Sequence, residues 1–425
     1  MKIVREGQPE FEPTLRALET RGDEDLSSVE PAVRAILDDV RARGDEAVLA
    51  ACERFERRRP TPLLKRVDGE AALARLPADA RAALELAAAR IRVFHEHQLD
   101  RGFRYAEGGA ELGTRVRPVK RAGVYAPGGK ARYPSSVLMA AIPARVAGVR
   151  DVVVASPLQN DATDDMILAA AHLAGVTEIL DAGGAQAIGA LAYGTGSVPR
   201  VDVIVGPGNL YVACAKRLVS GLVKIDGIAG PSEILVVADE SADARVVAAD
   251  LLSQAEHDEA AYPLLVTDVP ELAEEVAREV ARQLVSLPRR AIAQAAVERQ
   301  GCALVVEGRA ALASVADRLA AEHLALHVVD PDELLEHIDA AGAAFIGGNT
   351  PEAVGDYVAG PSHVLPTGGA VRFGSPLGVY DFVTRTSIVK YDARLLAAQA
   401  DAICAFARLE GLEAHARAVE ARTLR

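Results

Sequence analysis

The sequence predicts an α/β protein of two tandem parallel-sheet units, with a helical region before them and a short helical tail after. Two observations carry this. From about residue 120, short β-branched runs alternate with helical stretches as βαβαβαβ, a pattern that builds a parallel sheet covered on both faces. A second strand–helix series runs from 234 to 346, and 425 residues leave room for two or three core-forming units.

Taken in order, residues 1 to about 100 read as helical. The segment 31–41 is amphipathic after Pro31, and 78–97 is an Ala-rich helix after Pro77, with Pro60-Thr-Pro62 as punctuation between them. Phe103-Arg-Tyr-Ala, Gly108-Gly109 and Leu112-Gly-Thr-Arg-Val-Arg predict a β-hairpin. Strands are then expected at 123–125, 151–155, 177–181 and 201–205, with helices at 135–146, 165–174, 185–193 and 209–218. The second series places strands at 234–239, 264–267, 303–307, 326–330 and 344–346, with helices including 270–287 and 310–321. Two such units in tandem suggest a duplication. The tail from about 385 holds one strand, 386–390, and two helices broken at Gly411. A tail that short cannot build a core of its own and should pack on something else.

Composition excludes several classes. Half the residues are hydrophobic and a quarter charged, as in ordinary globular proteins. A net charge of −13 and a pI near 5.3 argue against nucleic-acid or acidic-membrane partners. No uncharged apolar run reaches the ~18 residues of a spanning helix, and the first residues carry no apolar signal core. Cys52, Cys214, Cys302 and Cys404 are far apart among apolar neighbours, so buried free thiols and a cytoplasmic setting are expected.

Three glycine-rich loops follow predicted strands: Tyr125-Ala-Pro-Gly-Gly129, Gly183-Gly-Ala-Gln-Ala-Ile-Gly189 and Gly206-Pro-Gly-Asn209. Ligand loops of parallel sheets lie at the carboxyl ends of strands, where backbone N–H groups can face an anion. None matches the dinucleotide fingerprint with its acidic residue, so plain tight turns explain them equally well.

Acid–base candidates fall in the second unit. Ser241 offers an N-cap to a helix on which Val247, Leu251 and Gln254 share one stripe, and His257 projects from the same side. A metal ion would satisfy both Gln254 and His257, and so would helix-end capping. Glu322-His323 lies where a helix gives way to a strand, a carboxylate and an imidazole able to move protons near neutrality. Asp356 and His363 share a Gly- and Pro-rich loop, and Glu410 and His415 flank Gly411 in the tail.

Together these blocks resemble one family. Gly230-Pro-Ser-Glu-Ile-Leu-Val, Leu252-Ser-Gln-Ala-Glu-His-Asp258, Glu322-His323-Leu324, Gly360-Pro-Ser-His-Val-Leu-Pro-Thr367 and Tyr380-Asp-Phe-Val-Thr-Arg-Thr-Ser387 are similar to histidinol dehydrogenase. Tyr133-Pro-Ser-Ser-Val-Leu-Met139, Ala192-Tyr-Gly-Thr195 and Gly206-Pro-Gly-Asn-Leu-Tyr-Val-Ala213 add to the match, which runs from about residue 25 to the C-terminus. The resemblance implies two incomplete Rossmann-like domains akin to aldehyde dehydrogenases, here 120–230 on the NAD side and 231–384 with the zinc and the Glu-His pair. Residues 1–119 would form the N-terminal helical region and hairpin, and 385–425 a tail swapped onto a partner subunit.

The resemblance also implies oxidation of L-histidinol to L-histidine in two NAD-linked steps, with one zinc per subunit and a homodimer sharing its active sites. Gln254, His257, Asp356 and His415 resemble the zinc ligands, His415 coming from the other subunit. Glu322 and His323 resemble the catalytic pair, with His323 taking the alcohol proton and Glu322 activating water on the aldehyde. Ser232, His363 and Glu410 match substrate contacts, as do Gln254, His257, His323, Asp356 and His415, while Tyr125, Gln186 and Asn209 match dinucleotide contacts. The sequence departs from the family at Ala140, Gly227, Ala321 and Ala325, none of them a ligand or catalytic position. No cysteine stands in a plausible cleft loop, which suits a water route without a thioester. The alternatives are a paralogue acting on another small polar alcohol such as a sulfonated diol, a zinc hydrolase, and a silent binding module.

Overall fold

A computed structural model describes residues 1–22, 26–66, 68–128, 132–159 and 161–423. Gly129, the end of the expected 125–129 loop, and Asp25, near the start of the family resemblance, lie outside the described residues. The strands are β1 (Lys2–Arg5), β2 (Leu64–Arg66), β3 (Phe103–Glu107), β4 (Ala110–Pro118), β5 (Arg121–Tyr125), β6 (Asp151–Ala155), β7 (Glu178–Leu180) and β8 (Val203–Val205). They continue as β9 (Lys224–Ile225), β10 (Glu233–Ala238), β11 (Tyr262–Thr267), β12 (Cys302–Val305), β13 (His323–His327), β14 (Ala343–Ile346) and β15 (Val383–Tyr391).

The two expected series form two six-stranded sheets, ordered β2-β7-β6-β5-β8-β9 and β1-β12-β11-β10-β13-β14. Counted from the first strand of each series, both run 3-2-1-4-5, which is five strands of the doubly wound order. Each is thus an incomplete Rossmann-like sheet, and the shared order supports the duplication read from the alternation. The N-terminal region is not helical throughout. It gives each sheet an edge strand, with β1 parallel to β12 and β2 antiparallel to β7. These strands of four and three residues are too short, and too charged, to show a period.

β10 shows why the sheet strands read as unbroken apolar runs. Leu235 and Val237 enter one core cluster and Ile234, Val236 and Ala238 the cluster on the opposite face, so both faces are buried. Each such Val, Leu or Ile contributes about 1.5–3 kcal/mol by leaving water. Two local expectations are corrected. Asp243, not Ser241, caps the helix Ala244–Ala255 by accepting the Arg245 N–H at 2.8 Å, while the Ser241 hydroxyl donates to Asp239. β13 begins at His323, earlier than the expected 326, and Asp330, at φ 52°, has already turned out of the strand.

The chain separates into two compact units. One comprises Met1–Gln98 with Lys120–Phe382 and carries both six-stranded sheets, and the other comprises Leu99–Val119 with Val383–Arg425. In the second unit the predicted hairpin β3–β4 pairs with β15 as an antiparallel sheet, so the hairpin belongs with the tail rather than with the N-terminal helices. The helices Ala393–Leu409 and Glu413–Thr423 follow, with Gly411 at φ 73° between them. Cys404, Ala407 and Ala416 form a very small core there. All four cysteines are free and buried. No helix among the described residues is long and apolar enough to cross a membrane.

Candidate active site

The amino ends of β10 and β13 carry the centre of the site. Register sets Ile234 beside His323, which brings Glu233, the first residue of β10, next to Glu322, the residue just before β13. Each carboxylate serves the other's backbone: the Glu233 N–H donates to Glu322 Oε2 at 2.9 Å, and the Glu322 N–H donates to Glu233 Oε2 at 3.2 Å. Arg21, itself buried, forms an ion pair with Glu233. Burial first, and the Glu233 charge second, push the Glu322 carboxyl well above the usual range.

His323 is oriented from the same strand. Its Nδ1 lies 2.8 Å from the Glu233 carbonyl oxygen, which can only accept, so Nδ1 carries the proton and Nε2 keeps its lone pair. Burial lowers the imidazole to about 4, which keeps the ring neutral and its Nε2 available as a base. The Phe345 ring, 5.9 Å away between centroids, lies against it.

Metal-type donors surround this pair. Gln254, at the end of its helix, is fully buried, and its Oε1 has no hydrogen-bond partner, while its Nε2 lies 3.3 Å from His323 Nδ1. His257, half-buried just after that helix, is close enough to disfavour charge on both His323 and His363. Asp356 stands on the short helix Glu352–Tyr357. Its carbonyl accepts from His363 Nδ1 at 3.1 Å and its carboxylate lies 3.8 Å from the same nitrogen. Burial lowers the His363 imidazole as well. Ligand atoms of His323, Glu352 and Asp356 all lie within 4.8 Å of one another.

Three buried atoms here lack partners: Gln254 Oε1, His323 Nε2 and Glu352 Oε1. Each such atom costs about 1–3 kcal/mol, so three at one place form a cluster of buried polar atoms that lacks partners within the chain. Gln254 Oε1, the His257 imidazole and the Asp356 carboxylate are an oxygen- and nitrogen-rich set that fits zinc. A cavity of about 320 Å³ opens beside them, lined by His323, Asp356 and His363 and walled by Phe94, Phe345 and Leu377. No cysteine lines it.

Tyr125, Gln186 and Asn209 sit at the carboxyl ends of strands in the first sheet, where the strand–helix alternation put them. Three of the glycine N–H groups in these turns are already taken by internal acceptors. The Gly183 N–H donates to Glu56 at 2.9 Å, Gly184 to the Tyr125 hydroxyl at 3.0 Å and Gly206 to Asp226 at 2.7 Å. Asn209 caps its own helix through Tyr211 and Val212. Gln186 is buried, with Nε2 donating to Glu56 at 3.1 Å, and burial pushes the Tyr125 hydroxyl up to about 12. Gly184 and Gly206, at φ 63° and 113°, meet the backbone demand of tight turns.

Of the remaining expected residues, Ser232 is half-buried directly before β10, and its carbonyl accepts the Tyr262 N–H at 3.0 Å. Glu410 and His415 are exposed in the second unit, around the Gly411 turn. Sequence reasoning did not single out Arg21, Glu352 or Ser136, whose hydroxyl is 3.4 Å from His363 Nε2. Glu352 had a legible signal, because it precedes Asp356 by four residues and so shares its helix face.

A buried imidazole and carboxyl group, beside metal-type donors and a cavity on a Rossmann-like sheet, form a candidate site for proton transfer on a small polar molecule. The histidinol dehydrogenase family model matches residues 19–423. Histidinol dehydrogenases of Dechloromonas aromatica and Aquifex aeolicus are 48% and 49% identical, each match covering 96% of this chain and 95% or 96% of the relative. The crystal structure of histidinol dehydrogenase from Elizabethkingia anophelis superposes with a TM-score of 0.93 at 32% identity, covering 99% of this chain and 98% of that one. The chain belongs to the histidinol dehydrogenase family and is an oxidoreductase of histidine biosynthesis.

Proposed function

We propose that the protein oxidises L-histidinol to L-histidine through L-histidinaldehyde, using NAD in both steps and one zinc ion per subunit. The observation that carries the reading is the neutral, buried His323 with Nε2 free, next to a buried Glu322 and the unpartnered Gln254 Oε1. Gln254, His257 and Asp356 would hold the zinc, with His415 supplied by a second copy of the chain. When bound, zinc positions the imidazole and amino groups of the substrate and NAD accepts the hydrides. His323 takes the alcohol proton at Nε2 during the first oxidation. Glu322, once ionised, is the stronger base for its raised proton affinity, and it takes a proton from the water that adds to the aldehyde. Ser232, His363 and Glu410 read the polar groups of the substrate, and Tyr125, Gln186 and Asn209 contact the dinucleotide.

A homodimer with shared sites is supported by the second unit, where Phe103, Val389, Phe406 and Leu409 are exposed despite their apolar character. Four buried free thiols suit a cytoplasmic enzyme. The test follows NADH absorbance as zinc-loaded protein meets NAD and L-histidinol, with the product identified. Two NADH per L-histidine are expected. No NADH from folded, zinc-loaded protein would overturn the assignment and direct the search to other small polar alcohols.

A further inference from the structure

Glu233 touches both members of the proposed proton-transfer pair, and its own side chain is gripped from far along the chain. Its N–H donates to Glu322 Oε2 at 2.9 Å, and its carbonyl accepts from His323 Nδ1 at 2.8 Å. Its carboxylate takes donors from three separate segments. The Glu322 N–H reaches Oε2 at 3.2 Å, the Gly368 N–H bonds to Oε1, and Arg21 Nη2 pairs with Oε2. The Arg21 and Glu233 side chains are each 1% exposed, so water does little to screen this ion pair.

Arg21 is aimed by its own surroundings. It follows the helix Phe11–Glu19, and its Nη1 donates back to the Leu18 carbonyl at 2.7 Å. The next residue, Gly22, packs on Gly368. A Cβ on Gly22 would lie 2.4 Å from Gly368 Cα, so the two backbones meet only because neither residue has a side chain. Removing one partner of a buried ion pair strands the charge of the other. Without Arg21 the Glu233 carboxylate would keep two N–H donors and no counter-charge, beside the carboxyl group of Glu322. Any displacement of Glu233 would carry Glu322 with it, because each carboxyl group holds the other residue's N–H.

We propose that Arg21 is a positioning residue for the oxidation: its ion pair fixes Glu233, and through Glu233 it holds Glu322 and His323 in place, touching neither substrate nor cofactor. The proposal rests on the reading of Glu322 and His323 as the proton-transfer pair.

The test compares wild type, Arg21→Met, Arg21→Lys, Glu233→Gln, the double variant Arg21→Met with Glu233→Gln, and Glu322→Gln. All are zinc-loaded full-length enzymes, with kcat and KM for L-histidinaldehyde and bound zinc measured for each. Arg21→Met should lower kcat about tenfold or more, with KM changed less than about twofold and zinc content unchanged. Arg21→Lys, which keeps the charge, should stay within about threefold of wild type. The double variant should be about threefold or more faster than Arg21→Met, because it has no stranded charge, whereas two independent structural injuries would add. Wild-type kcat in a folded Arg21→Met overturns the proposal, and so does a double variant slower than Arg21→Met. Loss of zinc overturns it too, since Arg21 would then support the metal ligands. Should Arg21→Met not fold, Glu233→Gln decides: kcat about threefold or more below wild type supports the proposal, and wild-type kcat overturns it. Glu322→Gln at the wild-type rate sinks the base assignment instead. A slow Glu322→Gln beside a normal Arg21→Met sinks the present proposal alone.

Discussion

The two six-stranded sheets share one order over five strands, yet the residues proposed to act on them lie at opposite ends. In the first, Tyr125, Gln186 and Asn209 gather at the carboxyl ends of the strands, as the general rule for open parallel sheets expects. In the second, Glu233, Glu322 and His323 gather at the amino ends of β10 and β13, the two strands at the point where the strand order reverses. Around β10 and β13 the carboxyl end of that sheet is closed by internal bonds. Asp239 accepts from Ser241 and from the Val329 N–H at 2.7 Å, and His327 Nε2 pairs with Asp250 at 2.9 Å. A shared strand order therefore does not dictate which end carries a candidate site. In the second sheet the candidate site lies at the end that keeps unpartnered polar atoms next to a cavity.

The largest effect that can break this comparison belongs to the catalytic end. His323→Ala should lower kcat for L-histidinol by about 10²- to 10⁴-fold, measured as steady-state NADH formation. Glu322→Gln should slow aldehyde oxidation more than alcohol oxidation, and a normal rate on L-histidinaldehyde would remove its assigned role. Zinc chelation should abolish turnover and added zinc should restore it.

Below these comes the end proposed to bind the dinucleotide. Glu56→Ala removes the acceptor of both the Gly183 N–H and Gln186 Nε2. It should raise KM for NAD about tenfold, equivalent to ~1.4 kcal/mol, and leave KM for L-histidinol unchanged. The smallest catalytic effect is expected at the closed end. His327→Gln should cost about 1–3 kcal/mol of stability for the partner left unsatisfied, read from denaturant midpoints, with kcat within about twofold of wild type.

Acid stability sharpens the same contrast. His323 is neutral in the folded protein down to about 4, whereas the unfolded chain binds that proton near 6.5. Below about 6.5 the unfolded state therefore gains protons first, and this contribution to stability is lost between about 6.5 and about 4. Metal-free His323→Asn should show a shallower fall in thermal midpoint across that window than metal-free wild type.

Much of this was legible in the sequence, for physical reasons. Strands buried on both faces, such as β6 and β10, are continuous apolar runs, and their predicted limits lie within a residue of the observed ones. Gln254 on an otherwise apolar stripe announced a buried polar atom in need of a partner. β1 and β2 escaped because strands of four and three residues have no period. Glu233 escaped because its carboxyl group accepts from the backbone of a residue 89 positions away, a pairing set by strand register rather than by any local pattern. The filled N–H groups of Gly183 and Gly206 escaped likewise, since Glu56 lies far from Gly183 in sequence and Asp226 meets Gly206 only across the fold.

The division of labour between the sheets is tested most directly by hydrogen exchange on the zinc-loaded enzyme, with NAD and L-histidinol added separately. NAD should protect the turns around 183–186 and 206–209, and L-histidinol should protect 322–323 and the 352–363 segment. Protection by NAD confined to the amino ends of β10 and β13, with the first sheet unchanged, would contradict the account.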